Sequence, residues 1–220
     1  MVYSASLAHF EETGMMIKAV LTGDLMQSQK AVDTQAYLDG LKSILSSVAR
    51  HYSLNADIYR GDGFQVVLCD PSDAFDCALA IRAGLIAASP EPERWDARIA
   101  IGLGPAAGAG GTYGEAFVLS GQGLDSMKRL SLAVFCTDPE FMRGADLATE
   151  FAAAIVDKWT VVEARAYSAH LAGVGDQQRI AEQLGKSRVA INKALQRAQA
   201  RLLDRYLTSV RQWVKALDNA

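Results

Sequence analysis

Ile58-Tyr-Arg-Gly-Asp62-Gly-Phe-Gln-Val-Val-Leu68 carries two short apolar runs on either side of Arg60-Gly61-Asp62-Gly63. The β-branched and aromatic residues predict strands over 56–60 and 64–69. The glycines predict a tight hairpin between them, because glycine reaches backbone angles closed to other residues. A second Gly-Asp pair closes the run Ile17-Lys-Ala-Val-Leu-Thr-Gly-Asp24, which reads as a buried strand over 17–23. Each aspartate thus stands where a strand meets a turn. If the first strand lies beside the hairpin, both carboxylates fall at one edge of one sheet.

The segments around the hairpin set the topology. Residues 33–50 read as a helix with Leu38, Leu41, Leu45 and Val48 on one face, and residues 72–87 as a second helix with Ser72 as its cap. In that second helix Phe75, Ala78, Leu79, Arg82, Leu85 and Ile86 fall at helical spacing. After the break at Pro90-Glu-Pro92, residues 97–103 alternate like a strand. A Gly/Ala-rich loop follows over 104–114, then a helix over 115–130 and a strand over 132–137. The order β-α-β-β-α-β-α-β contains the βαββαβ ferredoxin-like unit, which places the first strand centrally, next to the hairpin. The expected class is α+β: an antiparallel ferredoxin-like sheet with helices, followed by an all-α domain. The expected partition is a flexible extension over 1–14, a sheet domain over 15–137, a helical connector over 138–156 and a helical domain over 157–220.

Paired aspartates on neighbouring strands suit Mg²⁺ or Mn²⁺. These hard cations take oxygen ligands and keep water and phosphate in their shell. Two such ions can clamp a triphosphate and activate an attacking hydroxyl. Asp24 and Asp62 are therefore the candidate metal ligands, and the catalytic pair if the chain is an enzyme. Gly23, Leu25, Gly61, Gly63 and Lys128 are the candidate nucleotide contacts. An Asp-Gly turn with no ligand is the competing reading, because Asp favours turns on its own account.

Half of the 220 residues are hydrophobic, yet no apolar run reaches the length of a membrane span. Residues 1–14 lack the basic start and apolar core of a signal peptide. Cys69, Cys77 and Cys136 have no metal-ligand spacing, which fits a reduced, cytoplasmic protein, and His9, His51 and His170 stand alone. The net charge of −3 hides an asymmetry: residues 176–220 carry nine Lys/Arg against four Asp/Glu. A basic tail on an acidic body suits contact with nucleic acid.

That tail contains Gln-Gln-Arg-Ile-Ala-Glu-Gln-Leu-Gly-Lys-Ser-Arg-Val-Ala-Ile-Asn-Lys-Ala-Leu-Gln-Arg over 177–197. Ile180 and Leu184 face inward, Gly185 supplies a left-handed turn, and Ser187 caps a second helix. Val189, Ile191 and Leu195 are its inward candidates. This spacing is that of a helix-turn-helix, whose second helix enters the major groove of double-stranded DNA. Lys186, Ser187, Arg188, Asn192, Lys193 and Arg197 are the candidate DNA contacts. Thr160 caps the first helix of this domain. A last helix running to about Leu217 shows a stripe of Leu195, Leu202, Tyr206, Val210, Trp213 and Leu217. The stripe reads either as packing on the chain's own body or as the seam of a homodimer.

Gly61-Asp62-Gly63-Phe64 resembles the hairpin of class III nucleotide cyclases and, more loosely, of GGDEF diguanylate cyclases. Arg98-Ile-Ala-Ile-Gly-Leu-Gly104 and Gly114-Glu-Ala116 resemble the following cyclase strand and helix start. A closer resemblance is to the SatD family. It rests on Gly23-Asp24, Gly61-Asp62-Gly63-Phe64-Gln65, Ile101-Gly-Leu-Gly104 and the helix-turn-helix, and it spans the chain from about residue 17. It implies a palm-like nucleotide-binding domain joined to a DNA-binding one. The departures are specific. Where active cyclases present an Asn and an Arg four apart, this chain has Val118 and Gln122, with Lys128 or Arg129 as substitutes a turn later. Gly63 stands where GGDEF proteins have an acid. The expectation is a regulator that binds DNA and a nucleoside triphosphate or signal nucleotide. The alternative is an active Mg- or Mn-dependent cyclase or nucleotidyltransferase making a signal nucleotide.

Overall fold

The computed structural model of the chain describes residues 17–59, 61–105, 114–173 and 176–218. The expected extension over 1–14, Arg60 and most of the Gly/Ala loop lie outside them. Among the described residues five strands form one mixed sheet: β1 (Ile17–Leu25), β2 (Leu54–Ile58), β3 (Gly63–Leu68), β4 (Ala97–Pro105) and β5 (Leu132–Cys136). Their order is β2-β3-β1-β4-β5. β2, β3, β1 and β4 pair antiparallel, and β5 adds to β4 in parallel. Among the described residues the α-helices are α1 (Thr34–Val48), α2 (Ala74–Ala88), α3 (Glu115–Ser126), α4 (Pro139–Val156), α5 (Val161–Leu171), α6 (Gln177–Leu184), α7 (Arg188–Arg197) and α8 (Ala200–Asp218). Sheet and helices together make a mixed α/β architecture of the α+β kind.

Strand alternation divides the sheet into two faces. Leu21 and Leu25 on β1, Phe64 and Val66 on β3, and Ile99 and Ile101 on β4 enter the main core with α1 and α2. The opposite face of β4 presents Ala100, Gly102 and Gly104, and α3 lies against it. A Cβ on Gly102 would come within 2.2 Å of the Ala116 carbonyl, so the absence of a side chain there sets how closely α3 approaches. Ala100, Met127 and Ala133 form a small second cluster beneath α3.

The main core continues without a break from the sheet into the C-terminal helices, through Trp159, Tyr167, Leu203, Leu207, Val210 and Val214. Helix α2 is buried on nearly every side, because α1, α5, α8 and the sheet all pack against it. Arg82 on α2 is wholly buried. Its guanidinium donates to both oxygens of Asp96, at 2.9 and 2.7 Å, and to Asp157 at 2.7 Å. Buried charges survive only when paired in this way.

Several boundaries differ from the sequence reading for local reasons. Strand β1 runs to Leu25, so Asp24 lies within the strand, paired across to Gly63 and to Arg98. Ser72 does not cap α2. It is buried in a 3-10 turn over Pro71–Asp73, and the Asp70 carboxylate accepts its N–H at 2.8 Å. Helix α3 stops at Ser126, because Met127 turns extended to drop its side chain beneath the helix. Thr160 and Glu163 form a capping box at the start of α5. The run from 188 to 217 is not one helix: Gln199, at φ 58, breaks it between α7 and α8. Leu202 and Trp213 therefore turn partly outward, while Leu203, Leu207 and Val214 take the buried positions. Among the described residues no helix is long and apolar enough to cross a membrane.

Candidate functional site

Gly23 sits between Phe64 of β3 and Arg98 of β4. A Cβ there would lie 2.5 Å from the Phe64 ring and 2.7 Å from the Arg98 carbonyl oxygen. Glycine at this point lets β1 run closely between its neighbours and brings the next residue, Asp24, level with Arg98. The Arg98 Nε donates to Asp24 Oδ1 at 2.9 Å, and its Nη2 donates to Asp24 Oδ2. The remaining guanidinium nitrogen, Nη1, donates to the Met127 carbonyl at 2.8 Å. One cation thus joins the end of β1 to the end of α3. The hydrogen bonds to Asp24 hold Arg98 protonated above its ordinary range, and Asp62 and Asp125 add to the field.

Asp62 lies in the hairpin turn, next to the Asp24 register position. Its carbonyl accepts the Leu25 N–H at 3.2 Å, and its carboxylate accepts the Ser28 hydroxyl. Ser28 reaches it because Gln27 adopts a left-handed backbone (φ 56), which folds residues 28–30 into a 3-10 turn. Gly61 has φ 93, the conformation that favours glycine. A Cβ on Gly63 would meet nothing nearer than 3.9 Å, so that position has room. Leu25 is buried and contributes its backbone alone. Lys128 is exposed, one residue past the carbonyl that Arg98 holds. Val118 and Gln122 are both exposed on α3. Across the same sheet face, Tyr59 donates to Gln65 at 2.6 Å, Gln65 to Thr22 at 3.2 Å, and Thr22 to Ser120 of α3 at 2.8 Å.

The structure therefore gathers Asp24, Asp62, Gly23, Gly61 and Gly63 at one sheet edge and adds two side chains that the sequence reading did not assign to the site, Arg98 and Ser28. Alternation along β4 marks Arg98 as off the core face, but nothing local to residue 98 announces Asp24 as its partner. Among the described residues no group of three or more His, Cys, Asp or Glu converges on one point. A divalent cation here would rest on two carboxylates, one of them engaged by a guanidinium. Both Asp24 oxygens are taken by Arg98 and one Asp62 oxygen by Ser28, so an ion held by these carboxylates would need further oxygen ligands from outside the chain.

At the other end of the chain, Gly185 turns α6 into α7 with φ 60, and its N–H and that of Lys186 return to the carbonyls of Glu182 and Ala181. Ile180, Ala181, Ile191, Ala194 and Leu195 are buried between the helices. Val189, expected inward, is exposed, because helical spacing cannot bury it together with Ile191. The Ser187 hydroxyl caps α7 by accepting the Ala190 N–H at 3.1 Å. Lys186, Arg188, Asn192 and Lys193 are exposed. Arg188 and Asn192 line a cleft of about 940 Å³ with Gln177 at the start of α6 and Arg201 of α8. Gln177 donates to Asn192 at 3.4 Å. Arg197 stands apart, since its Nε donates to the α5 carboxylate of Glu163 at 2.6 Å. Gln177 and Arg201 were missed from sequence: the first precedes the turn, and the second reaches the cleft only because the chain breaks at Gln199. His170 pairs with Asp204 at 3.0 Å, and all three cysteines are free thiols.

No protein-family model matches the chain, and no curated protein is similar to it.

Proposed function

We propose that the chain is a DNA-binding regulator whose sheet edge receives a nucleotide in the presence of Mg²⁺ or Mn²⁺. The observation that carries the reading is the α6–α7 pair. It has a glycine turn, a buried apolar seam, and an outer surface on which Arg188, Asn192 and Lys193 are exposed. These features support reading the pair as a helix-turn-helix, a motif in which Arg and Asn on the second helix meet guanine and adenine edges and Lys meets phosphate.

The strand order and the βαββαβ succession support a ferredoxin-like, palm-type sheet extended by β5, as the SatD resemblance implies. At its edge Asp24 and Asp62 are the groups to hold a divalent ion. The ion, when bound, neutralises and orients the phosphates. Arg98 is the group to take a phosphate oxygen, Gly61 and Gly63 let the backbone approach, and Lys128 stands at the rim. The test is selection of duplex DNA from a random pool by the full chain, followed by titration with each nucleoside triphosphate and Mg²⁺. Retention of a defined sequence, changed by one nucleotide and lost in Arg188→Ala, supports the reading. Sequence-blind, salt-labile binding without nucleotide response defeats it.

A second reading, a nucleotidyl cyclase or nucleotidyltransferase, is favoured by one observation. Arg98 supplies a cation beside the two aspartates, where Val118 and Gln122 supply none. Chromatography of each nucleoside triphosphate after incubation with the chain and Mn²⁺ decides it. A product made by the unmutated chain and not by Asp62→Ala establishes turnover.

A further inference from the structure

The hydrogen bonds across the outer sheet face run in one direction, and that direction fixes a glutamine. Ser120 of α3 is buried, and its hydroxyl donates to the Phe117 carbonyl at 3.1 Å. A carbonyl only accepts and a serine hydroxyl has one proton, so Ser120 can only accept its next bond, from Thr22 of β1 at 2.8 Å. That bond spends the Thr22 proton, and the Thr22 oxygen accepts from the Gln65 side chain on β3 at 3.2 Å. The group of Gln65 that faces Thr22 is therefore its NH2. Its carbonyl oxygen faces the β2 edge, where the Tyr59 hydroxyl donates to it at 2.6 Å. The row of donors thus settles which way round the amide sits, a choice that an isolated glutamine leaves open.

The row lies beside the two aspartates. Thr22 stands two residues before Asp24 on β1 and shares its face, about 7 Å further along the strand. Gln65 pairs with Thr22 as Gly63 pairs with Asp24. Helix α3 packs on β4, β1 and β5, and beyond it the face opens: Gln65 is half-buried, and residues 55–58 of β2 are exposed. An amide oxygen has two lone pairs and an amide nitrogen two protons. After its bonds to Tyr59 and Thr22, Gln65 retains one acceptor position and one donor position, in a fixed order across the sheet.

We infer that Gln65 reads the base of a nucleotide whose phosphates lie at the Asp24–Asp62–Arg98 edge, with Thr22 and Ser120 as its positioning residues. The inference deepens the nucleotide reading and rests on it. Adenine and cytosine carry an amino group where guanine and uracil carry a keto oxygen, and the neighbouring ring nitrogen accepts in the first two and donates in the second two. Donor and acceptor are thus interchanged between the amino bases and the keto bases. An amide free to turn over serves either kind. With the phosphates held at the sheet edge and the amide held by Thr22, one kind is matched, and the other meets donor with donor and acceptor with acceptor. The expected preference therefore divides amino bases from keto bases, not purines from pyrimidines.

Calorimetric titration of the full chain with inorganic tripolyphosphate and with ATP, GTP, CTP and UTP, each with Mg²⁺, tests the assignment. Tripolyphosphate has no base and reports the phosphate site alone, so the two readings fail separately. ATP and GTP should differ in affinity at least about tenfold, and CTP and UTP should differ in the same sense. Gln65→Met should erase the difference. Thr22→Val keeps the side-chain shape and removes the hydroxyl that holds the amide, so it should also collapse the ATP-to-GTP ratio. A merely structural role for Thr22 would lower all affinities together and leave that ratio in place. Both variants should still bind tripolyphosphate, which shows that they are folded. Tripolyphosphate binding with equal affinity for ATP and GTP, or a preference that survives Gln65→Met, overturns the base assignment and leaves the phosphate site standing. A preference that survives Thr22→Val overturns the positioning by the hydrogen-bonded row. A parent that binds neither tripolyphosphate nor any nucleotide removes the phosphate site and this inference with it.

Discussion

Arg98 faces Asp24 across the β1–β4 pairing, with its Nε 2.9 Å from one carboxylate oxygen and its second terminal nitrogen on the other. Both groups are partly exposed, at 34% and 26%. Solvent screens such a pair, so Arg98→Met should cost only ~0.5–1 kcal/mol in urea unfolding. Its effect on ligand should be larger. If a polyphosphate takes the guanidinium, Arg98→Met should weaken nucleotide binding at least about tenfold by calorimetry, a charge-assisted contact being worth about 1.5–3 kcal/mol. Equal affinity in the variant would remove Arg98 from the site.

Gly23 separates the sheet's geometry from its chemistry. Gly23→Ala puts a methyl group 2.5 Å from the Phe64 ring and 2.7 Å from the Arg98 backbone oxygen. The expected loss of stability is about 1–3 kcal/mol by urea titration. Gly121→Ala is the control. A Cβ there meets nothing within 4 Å, and the position is helical, so a gain of about 0.5–1 kcal/mol is expected. Parity between the two variants would mean that β1 is not held as tightly as the register implies.

Much of this arrangement is written plainly in the chain. Alternation in Ile99, Ile101 and Leu103 marks the inward face of β4, and the two Gly-Asp pairs fall at one sheet edge once the strand order is taken from βαββαβ. What the sequence withholds is pairing at a distance. Arg98 reads as an outward strand residue, and its partner follows only from the β1–β4 register. Met127 ends α3 for the sake of a pocket made by Ala100 and Ala133 on two other strands. Gln199 breaks the last long helix without a glycine or proline to signal it. Arg197, which reads as a DNA contact, is held by Glu163, thirty-four positions earlier.

Asp76 makes stability depend on pH. Burial, helped by the nearby Asp73 carboxylate, raises its carboxyl from 3.8 to about 6, although Arg211 of α8 donates to it at 2.6 Å. The folded state therefore holds this proton more tightly than the unfolded state. Its stabilising contribution is complete below about 3.8 and fades as pH rises through about 6. Asp76→Asn removes the titration, leaving Arg211 with access to solvent. The variant should gain on the parent as pH rises through that window, by about 1–3 kcal/mol at the plateau. Thermal melts from pH 4 to pH 8 check the sign; a gap that narrows with rising pH would contradict it.

On the DNA side, Arg188→Ala and Asn192→Ala should each cost about 1–3 kcal/mol with the preferred duplex and relax its sequence preference. Lys193→Ala should weaken all duplexes alike and lower the salt slope by about one. Arg197→Ala should leave DNA affinity near the parent value, because its guanidinium is held by Glu163. Fluorescence anisotropy at several salt concentrations distinguishes the three behaviours. A large DNA defect in Arg197→Ala alone would move the reading surface to the far side of α7.

Helix α2 is enclosed by α1, which precedes it in the chain, and by α5 and α8, which follow it. During synthesis the sheet and α1 can assemble around one side of α2 while its other side waits for residues up to Val214 to leave the ribosome. For that interval the nascent chain carries an uncovered apolar helix and a buried-type carboxylate, Asp76, whose arginine has not yet been made. Products that stop short of α8 are for this reason expected to be sticky and short-lived rather than to persist as a working fragment.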